Sequence, residues 1–262
     1  MTDRQTLLST FNSLLQAERF TDYGPNGLQV EGKTQIHKII SGVTASRALI
    51  EAAVEAKADA IFVHHGLFWR GQTGVVTGWM KERLKLLLAH DINLFAYHLP
   101  LDAHPELGNN AQLGQKLGFI TPKAVERGEI THFGDQSLGW LANIEHNQSK
   151  TLQNPENLQK HLENTLKRQV AGVFVASTAI KNIAWCTGGA QSYFEAAIAA
   201  GADAFITGEM SEPQAHLARE CGVAYFACGH HATERYGAPA VAAHVAEELG
   251  LAHEFIEIDN PA

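Results

Sequence analysis

Five side chains of metal-ligand type stand where short apolar runs end. His64 and His65 follow Ala60–Val63 directly, and Asp102 comes just after Asn93–Tyr97, with His98 four residues before it. His230 and Glu234 are four apart after Ala224–Ala227. Neutral imidazoles and carboxylates suit Zn, Fe, Mn or Ni as divalent ions, and the lack of cysteine in the set argues against a structural thiolate zinc site. Two such ions ~3.5–4 Å apart would activate a water and clamp the attacking and leaving oxygens of a hydrolysis. The set is therefore read as a centre for two divalent metal ions per chain.

Each residue also has a plainer reading. A single histidine at a strand end is an ordinary core residue, but two in a row each need a buried partner. Neighbours on an extended strand point to opposite faces, so one ion suits His64 and His65 only if the chain turns, and Gly66 would permit a turn. Two ions, one on each side, suit the pair better. Asp102 could cap a helix beginning near Pro105. His-x-x-x-Glu puts His230 and Glu234 on one helical face, a spacing common by chance. His231 would point elsewhere on that helix, to solvent or behind the ligands. Trp69 could stack on a planar ligand or simply pack. Gly188-Gly189-Ala190 lacks the spacing of a phosphate loop and reads as a tight turn. Thr207-Gly208-Glu209 is expected to line the same cleft. His98 or Glu209 would carry the proton, because both types titrate or can be tuned near neutral pH.

The elements that must position these groups alternate. Apolar spacing predicts a helix over 3–18, then a turn-rich loop DYGPNGLQVEG over 22–32. Strands are expected at 38–43, 60–63 and 93–97, with helices at 45–56 and 81–89 between them. This order argues for an α/β fold with parallel strands. Residues 122–155, with polar runs such as HNQSK, read as a boundary or irregular strand region. A helix follows over 155–167, opened by Pro155, and strands over 170–176 and 183–186.

An internal repeat organises the chain. Shifted by 144 positions, EAAVEAKADA (51–60) falls on EAAIAAGADA (195–204), identical at seven of ten positions. The same shift lays His64-His65 on Gly208-Glu209. A shift of 132 lays His98-x-x-x-Asp102 on His230-x-x-x-Glu234. Two blocks in one order favour a duplicated half over a chance likeness of Ala-rich helices. The expected domains are 1–122, carrying the His-His and Asp ligands, and 123–262, carrying His-x-x-x-Glu.

Composition excludes other classes. A chain of 262 residues, 45% hydrophobic and 18% charged, can bury one or two cores and is not disordered. A net charge of −8 makes nucleic acid an unlikely partner, since that needs a basic face. Three cysteines imply no disulfide framework and fit a reducing, cytoplasmic setting. The first twenty residues lack the apolar stretch of a signal peptide, and no run of 18 apolar residues offers a membrane span.

VHHGLFW (63–69), HLPLDAHPELGNN (98–110), ITGEMSE (206–212) and GHHATE (229–234), with DYGPNGLQVEG near the start, resemble the GTP cyclohydrolase 1 type 2 homologue family. These are the proteins also described as NGG-interacting-factor-like. The resemblance runs from about residue 20 to the C-terminus and is weakest over roughly 122–180. It implies two interlinked, internally repeated α/β domains with a dinuclear metal site between them. It places the metal ligands on His64, His65, Asp102, His230 and Glu234, with Glu234 bridging, His64 and Asp102 completing one ion and His65 and His230 the other. It further implies a toroidal homohexamer. The implied activity is opening of the guanine imidazole ring of GTP by metal-activated water, on a nucleotide or related small-molecule substrate. The alternative is a non-catalytic metal-binding protein, such as a metallochaperone or metal insertase.

Overall fold

The structure, a computed structural model, describes residues 1–144, 150–175 and 179–262. Ala176, at the end of the strand expected over 170–176, and positions 146–149 of the HNQSK run lie outside the described residues. The chain divides into two compact units: Met1–Gly108 with Arg235–Asp259, and Asn109–Glu234 with Asn260–Ala262. This division differs from a cut at 122. The helix Gly237–Leu249 buries Ala238, Val241, Ala242 and Val245 in one core with Leu7, Phe11 and Phe62. The strand Ala252–Phe255 then pairs in parallel with the strand Lys38–Thr44. Nothing in local spacing announces that return of the chain.

The first unit begins with β1 (Thr2–Asp3), α1 (Arg4–Leu15), β2 (Gly27–Val30), β3 (Gln35–Ile36), β4 (Lys38–Thr44) and α2 (Arg47–Glu55). It continues with β5 (Ala60–His65), α3 (Gly78–Ala89), β6 (Asn93–Ala96) and α4 (Leu99–Ala103). Helix α1 starts where the Asp3 carboxylate accepts from Thr6 N and stops at Gln16, in the left-handed region at φ 49°. Its Leu7, Phe11 and Leu15, four apart, form the buried stripe. The five-stranded sheet runs Ala252–Phe255, β4, β5, β6, β2, with all but β2 parallel. Strand alternation feeds two cores: Ile40, Ile61 and Leu94 pack with Leu49, Ile50 and Leu87, while Ile39, Phe62 and Phe95 pack with Phe11 and Val241.

The second unit holds α5 (Asn109–Lys116), α6 (Pro122–Glu126), β7 (Ile130–Phe133), β8 (Gly139–Asn143) and α7 (Pro155–Leu166). After these come β9 (Ala171–Val173), β10 (Asn182–Trp185), α8 (Phe194–Ala199), β11 (Ala204–Thr207), α9 (Glu212–Cys221), β12 (Ala224–Ala227) and α10 (His230–Glu234). Its sheet runs β7, β8, β10, β11, β12, β9, with β10, β11 and β12 parallel.

The repeat is a repeat of folds. Ile39 pairs with Ala60 in the first sheet, and Ile183 with Ala204 in the second, each 144 positions on. The following strands, β6 and β12, each carry one antiparallel edge strand, β2 and β9. Asp59 Oδ2 accepts from His37 N and Lys38 N at 2.8 and 3.2 Å. Asp203 Oδ2 accepts from Lys181 N and Asn182 N at 2.9 Å each. The identical Asp of the repeat thus ties each helix–strand turn to the start of the preceding strand. The sheets differ on their other side, where Ala252–Phe255 joins β4 in parallel but β8 joins β10 antiparallel. Among the described residues, no helix is long and apolar enough to cross a membrane.

Candidate metal centre

In the first unit β5 delivers His64 and His65 at its last two positions. Strand alternation would separate them, yet their ring centroids lie 4.4 Å apart. Gly66 is not the reason, since its backbone is not left-handed. A side chain there would overlap the amide of Gln29, whose Oε1 accepts from Leu67 N at 2.8 Å. A side chain at 66 would push that amide aside.

His98 joins the pair. Its ring lies 4.9 Å from that of His64 and 5.7 Å from that of His65. One ligand atom from each of the three imidazoles falls within 4.8 Å of the others. Asp102 lies within α4, and its Oδ1 is 3.6 Å from His64 Nε2. The outer nitrogens of the rings are held: His64 Nδ1 is 3.1 Å from Tyr97 O, and His65 Nδ1 is 3.1 Å from Thr44 Oγ1. His98 Nδ1 is 2.6 Å from Asp22 Oδ1. Trp69 and His98 meet in a T-shaped contact with ring centroids 5.0 Å apart. A narrow crevice of only about 10 Å³ is lined by His64, His98, Trp69, Phe68, Gly24 and Pro25.

Asp22 is the residue that sequence reasoning missed. Burial opposes its charge, but hydrogen bonds from His98, Asn26 and Leu99 N bring its pKa down to about 2. Asn26 braces the same corner, donating to Asp22 Oδ2 at 2.9 Å and accepting from His98 N at 2.7 Å. The available signal was DYGPNG, which reads locally as nothing more than a turn.

In the second unit His230 opens α10 and Glu234 closes it. The helical spacing holds, with His230 Nε2 3.2 Å from Glu234 Oε2. Glu209 follows β11, where the repeat places His65, and its Oε1 is 2.7 Å from His230 Nδ1. Burial works against a charge on His230, but the bonds to Glu234 and Glu209 outweigh it and raise its pKa to about 9. His231 is buried, and its backbone N–H donates to Ala262 O at 3.2 Å.

The loop 188–190 is a bend, and it is a wall for these groups. Gly188 has φ 69°, and a Cβ there would collide with Glu234 Oε1 and come within 3.1 Å of His230 Nε2. Its N–H is spent on Thr233 Oγ1 at 3.0 Å, so it does not face a phosphate. The glycine leaves a cradle in which a carboxylate and an imidazole lie on bare backbone.

Each unit is thus an α/β module with histidine and carboxylate side chains at the carboxyl ends of its parallel strands, where such folds place ligands. These side chains form candidate metal-ligand groups, all nitrogen and oxygen donors. The chain matches Duf34/NIF3 (NGG1p interacting factor 3) over residues 2–261 and belongs to that family. A relative from Neisseria meningitidis serogroup A, named GTP cyclohydrolase 1 type 2 homolog, is 50% identical over 259 residues, 99% of each chain. One of the same name from Pseudomonas aeruginosa is 48% identical, covering 98% of each. The solved structure of protein ybgI, described as of unknown function, is 43% identical with a TM-score of 0.88 and full coverage of both chains.

Proposed function

We propose that this chain is a divalent-metal-dependent hydrolase acting on a nucleotide or related small molecule, with two ions held by His64, His65, Asp102, His230 and Glu234. The observation that carries the reading is the donor set itself. Each unit offers buried or half-buried imidazoles and a carboxylate at its strand ends, and Gly188 keeps open the space around Glu234 and His230. The donors fit hard-to-borderline divalent ions and include no thiolate. When bound, such ions supply Lewis acidity and make water a nucleophile near neutral pH.

The chain's own residues would do the rest. Thr44, Tyr97 and Glu209 orient the rings of His65, His64 and His230. Glu209 acts by aiming His230 rather than as a free proton carrier. His98 lines the crevice beside Trp69, and its Nδ1 is held by Asp22. The name shared by the relatives supports GTP as the first substrate to test. A ring-shaped homohexamer in the cytoplasm belongs to the same reading, and sedimentation tests the assembly.

The deciding experiment is metal content per chain by mass spectrometry on untagged protein, for wild type and Glu234→Ala. About two ions per chain, falling sharply in the variant, is expected, together with turnover of GTP or a phosphoester by the loaded protein. One ion or none, unchanged in the variant, overturns the reading. Ions that pass freely to a chelator, with no turnover of any substrate, would instead make metal the cargo.

A further inference from the structure

We propose that His98 is a third imidazole ligand for a divalent cation in the first unit, beside His64 and His65, and that Asp22 is the positioning residue that makes it one. This rests on the reading that His64 and His65 bind metal. The expected ligand set contains neither Asp22 nor His98.

A carboxylate offers about four lone-pair positions and no proton to give. Oδ1 of Asp22 receives Tyr23 N at 2.6 Å, and Oδ2 receives Leu99 N at 2.9 Å, both backbone donors. Oδ2 also receives Asn26 Nδ2 at 2.9 Å. The orientation of that amide is fixed, because its oxygen must accept from His98 N at 2.7 Å. Three N–H groups therefore converge on a carboxylate whose side chain is only 3% exposed. The fourth contact, His98 Nδ1 at 2.6 Å, has to be N–H···O⁻. Nδ1 then carries the proton, and the lone pair of a neutral ring sits on Nε2.

The neighbouring rings are set the same way. Tyr97 O can only accept, so His64 Nδ1 carries its proton and Nε2 is the ligand nitrogen. Thr44 Oγ1 occupies His65 Nδ1. Three imidazoles thus each have Nδ1 held by an outer partner: a backbone carbonyl, a hydroxyl and a carboxylate. One ring nitrogen from each of the three lies within 4.8 Å of the other two. Metal-binding histidines have this construction, in which the outer bond fixes tautomer and ring angle. Three imidazole nitrogens with one position left open make a complete site for zinc. The backbone is built to match: His98 and Leu99 are held by Asn26 and Asp22, so the loop 22–26 grips the chain where the ligand ring leaves β6.

The test uses the full chain, 15N-labelled, with zinc chloride as the probe. The long-range imidazole spectrum of metal-free wild type should show His98 as the Nδ1–H tautomer, and zinc should move its Nε2 resonance while Nδ1 stays protonated. Zinc affinity against a competing chelator should fall roughly 10–100-fold in Asp22→Asn, the usual effect of losing an outer partner. It should fall at least as far in His98→Ala and recover in part in Asp22→Glu. A His98 Nε2 resonance indifferent to bound zinc overturns the proposal, and this reading needs no variant to fold. Loss of zinc in His64→Ala with unchanged affinity in His98→Ala and Asp22→Asn also overturns it, while leaving the proposed function standing. Unchanged zinc in His64→Ala removes the parent reading itself.

Discussion

Gly188→Ala separates a cost to the fold from a cost to the metal centre. At φ 69° a side chain is strained wherever the space lies, by about 1–2 kcal/mol. Gly222, at φ 68° with nothing within 4 Å of an added Cβ, isolates that term in Gly222→Ala. For a chain of this size each kcal/mol moves Tm by about 2–4 °C, so the control should melt about 2–8 °C low. Gly188→Ala bears the same strain and also drives a methyl group into the Glu234 carboxylate, with Cδ at 2.9 Å and His230 Nε2 at 3.1 Å. Glu234 is buried, so it cannot swing out cheaply, and overpacking of this kind adds about 1–3 kcal/mol. Its displacement should lower zinc affinity by no less than the ~10–100-fold seen when a ligand's outer support is lost. Gly189→Ala, whose nearest neighbours are at 3.4–3.5 Å, should leave both nearly unchanged. Calorimetry and chelator competition on the three variants check this. If Gly188→Ala matches Gly222→Ala in both Tm and zinc affinity, Glu234 has no part in binding metal through that cradle and the reasoning fails.

Replacing Asp59 or Asp203 with Ala leaves two backbone N–H groups without their acceptor, and each should cost about 1–3 kcal/mol by urea unfolding. An exposed Asp→Ala change should cost almost nothing beside them, and equal costs would count against the brace. Burial opposes the Asp59 charge, but Lys33 and the N–H groups of His37 and Lys38 lower its pKa. Its folded carboxyl therefore binds a proton less readily than the unfolded one. That contribution is complete above the unfolded value near 3.9 and fades as pH falls through the folded value. Urea midpoints of wild type should thus drop more between pH 6 and pH 3 than those of Asp59→Asn, and equal drops would refute the linkage. Phe62→Ala should cost about 3–5 kcal/mol, because the ring is fully buried and stacks on Phe11 at 4.5 Å. A loss under 1 kcal/mol in thermal or urea unfolding would show that this core can collapse around the gap.

Much of this molecule could be read before it was seen, for a physical reason. The parallel strands and their helices are local patterns, and the repeat EAAVEAKADA carries its own register, so β4–β5 and β10–β11 pair as the 144 shift requires. His230 and Glu234 meet because helical spacing alone brings them together. What was hidden depends on contacts between distant segments. Asp22 reaches His98 across 76 positions of sequence, and Gln29 reaches Leu67 across 38. Local spacing in DYGPNG cannot show a partner so far away. The helix Gly237–Leu249 returns to the first unit through its packing on Leu7, Phe11 and Phe62, which no local spacing shows.

The repeat also explains why the two ligand sets are unlike. His98 and His230 occupy matching places after β6 and β12, and each has a carboxylate at hydrogen-bond distance from Nδ1. In the second unit that carboxylate is Glu209, at the position matching His65. In the first unit it is Asp22, which arrives from a separate loop. Because the loop supplies the orienting charge, position 65 is released from that task and can hold an imidazole. The pairing of ring and carboxylate is thus the element common to both halves, and the choice of segment that provides it determines how many nitrogen donors a half can offer.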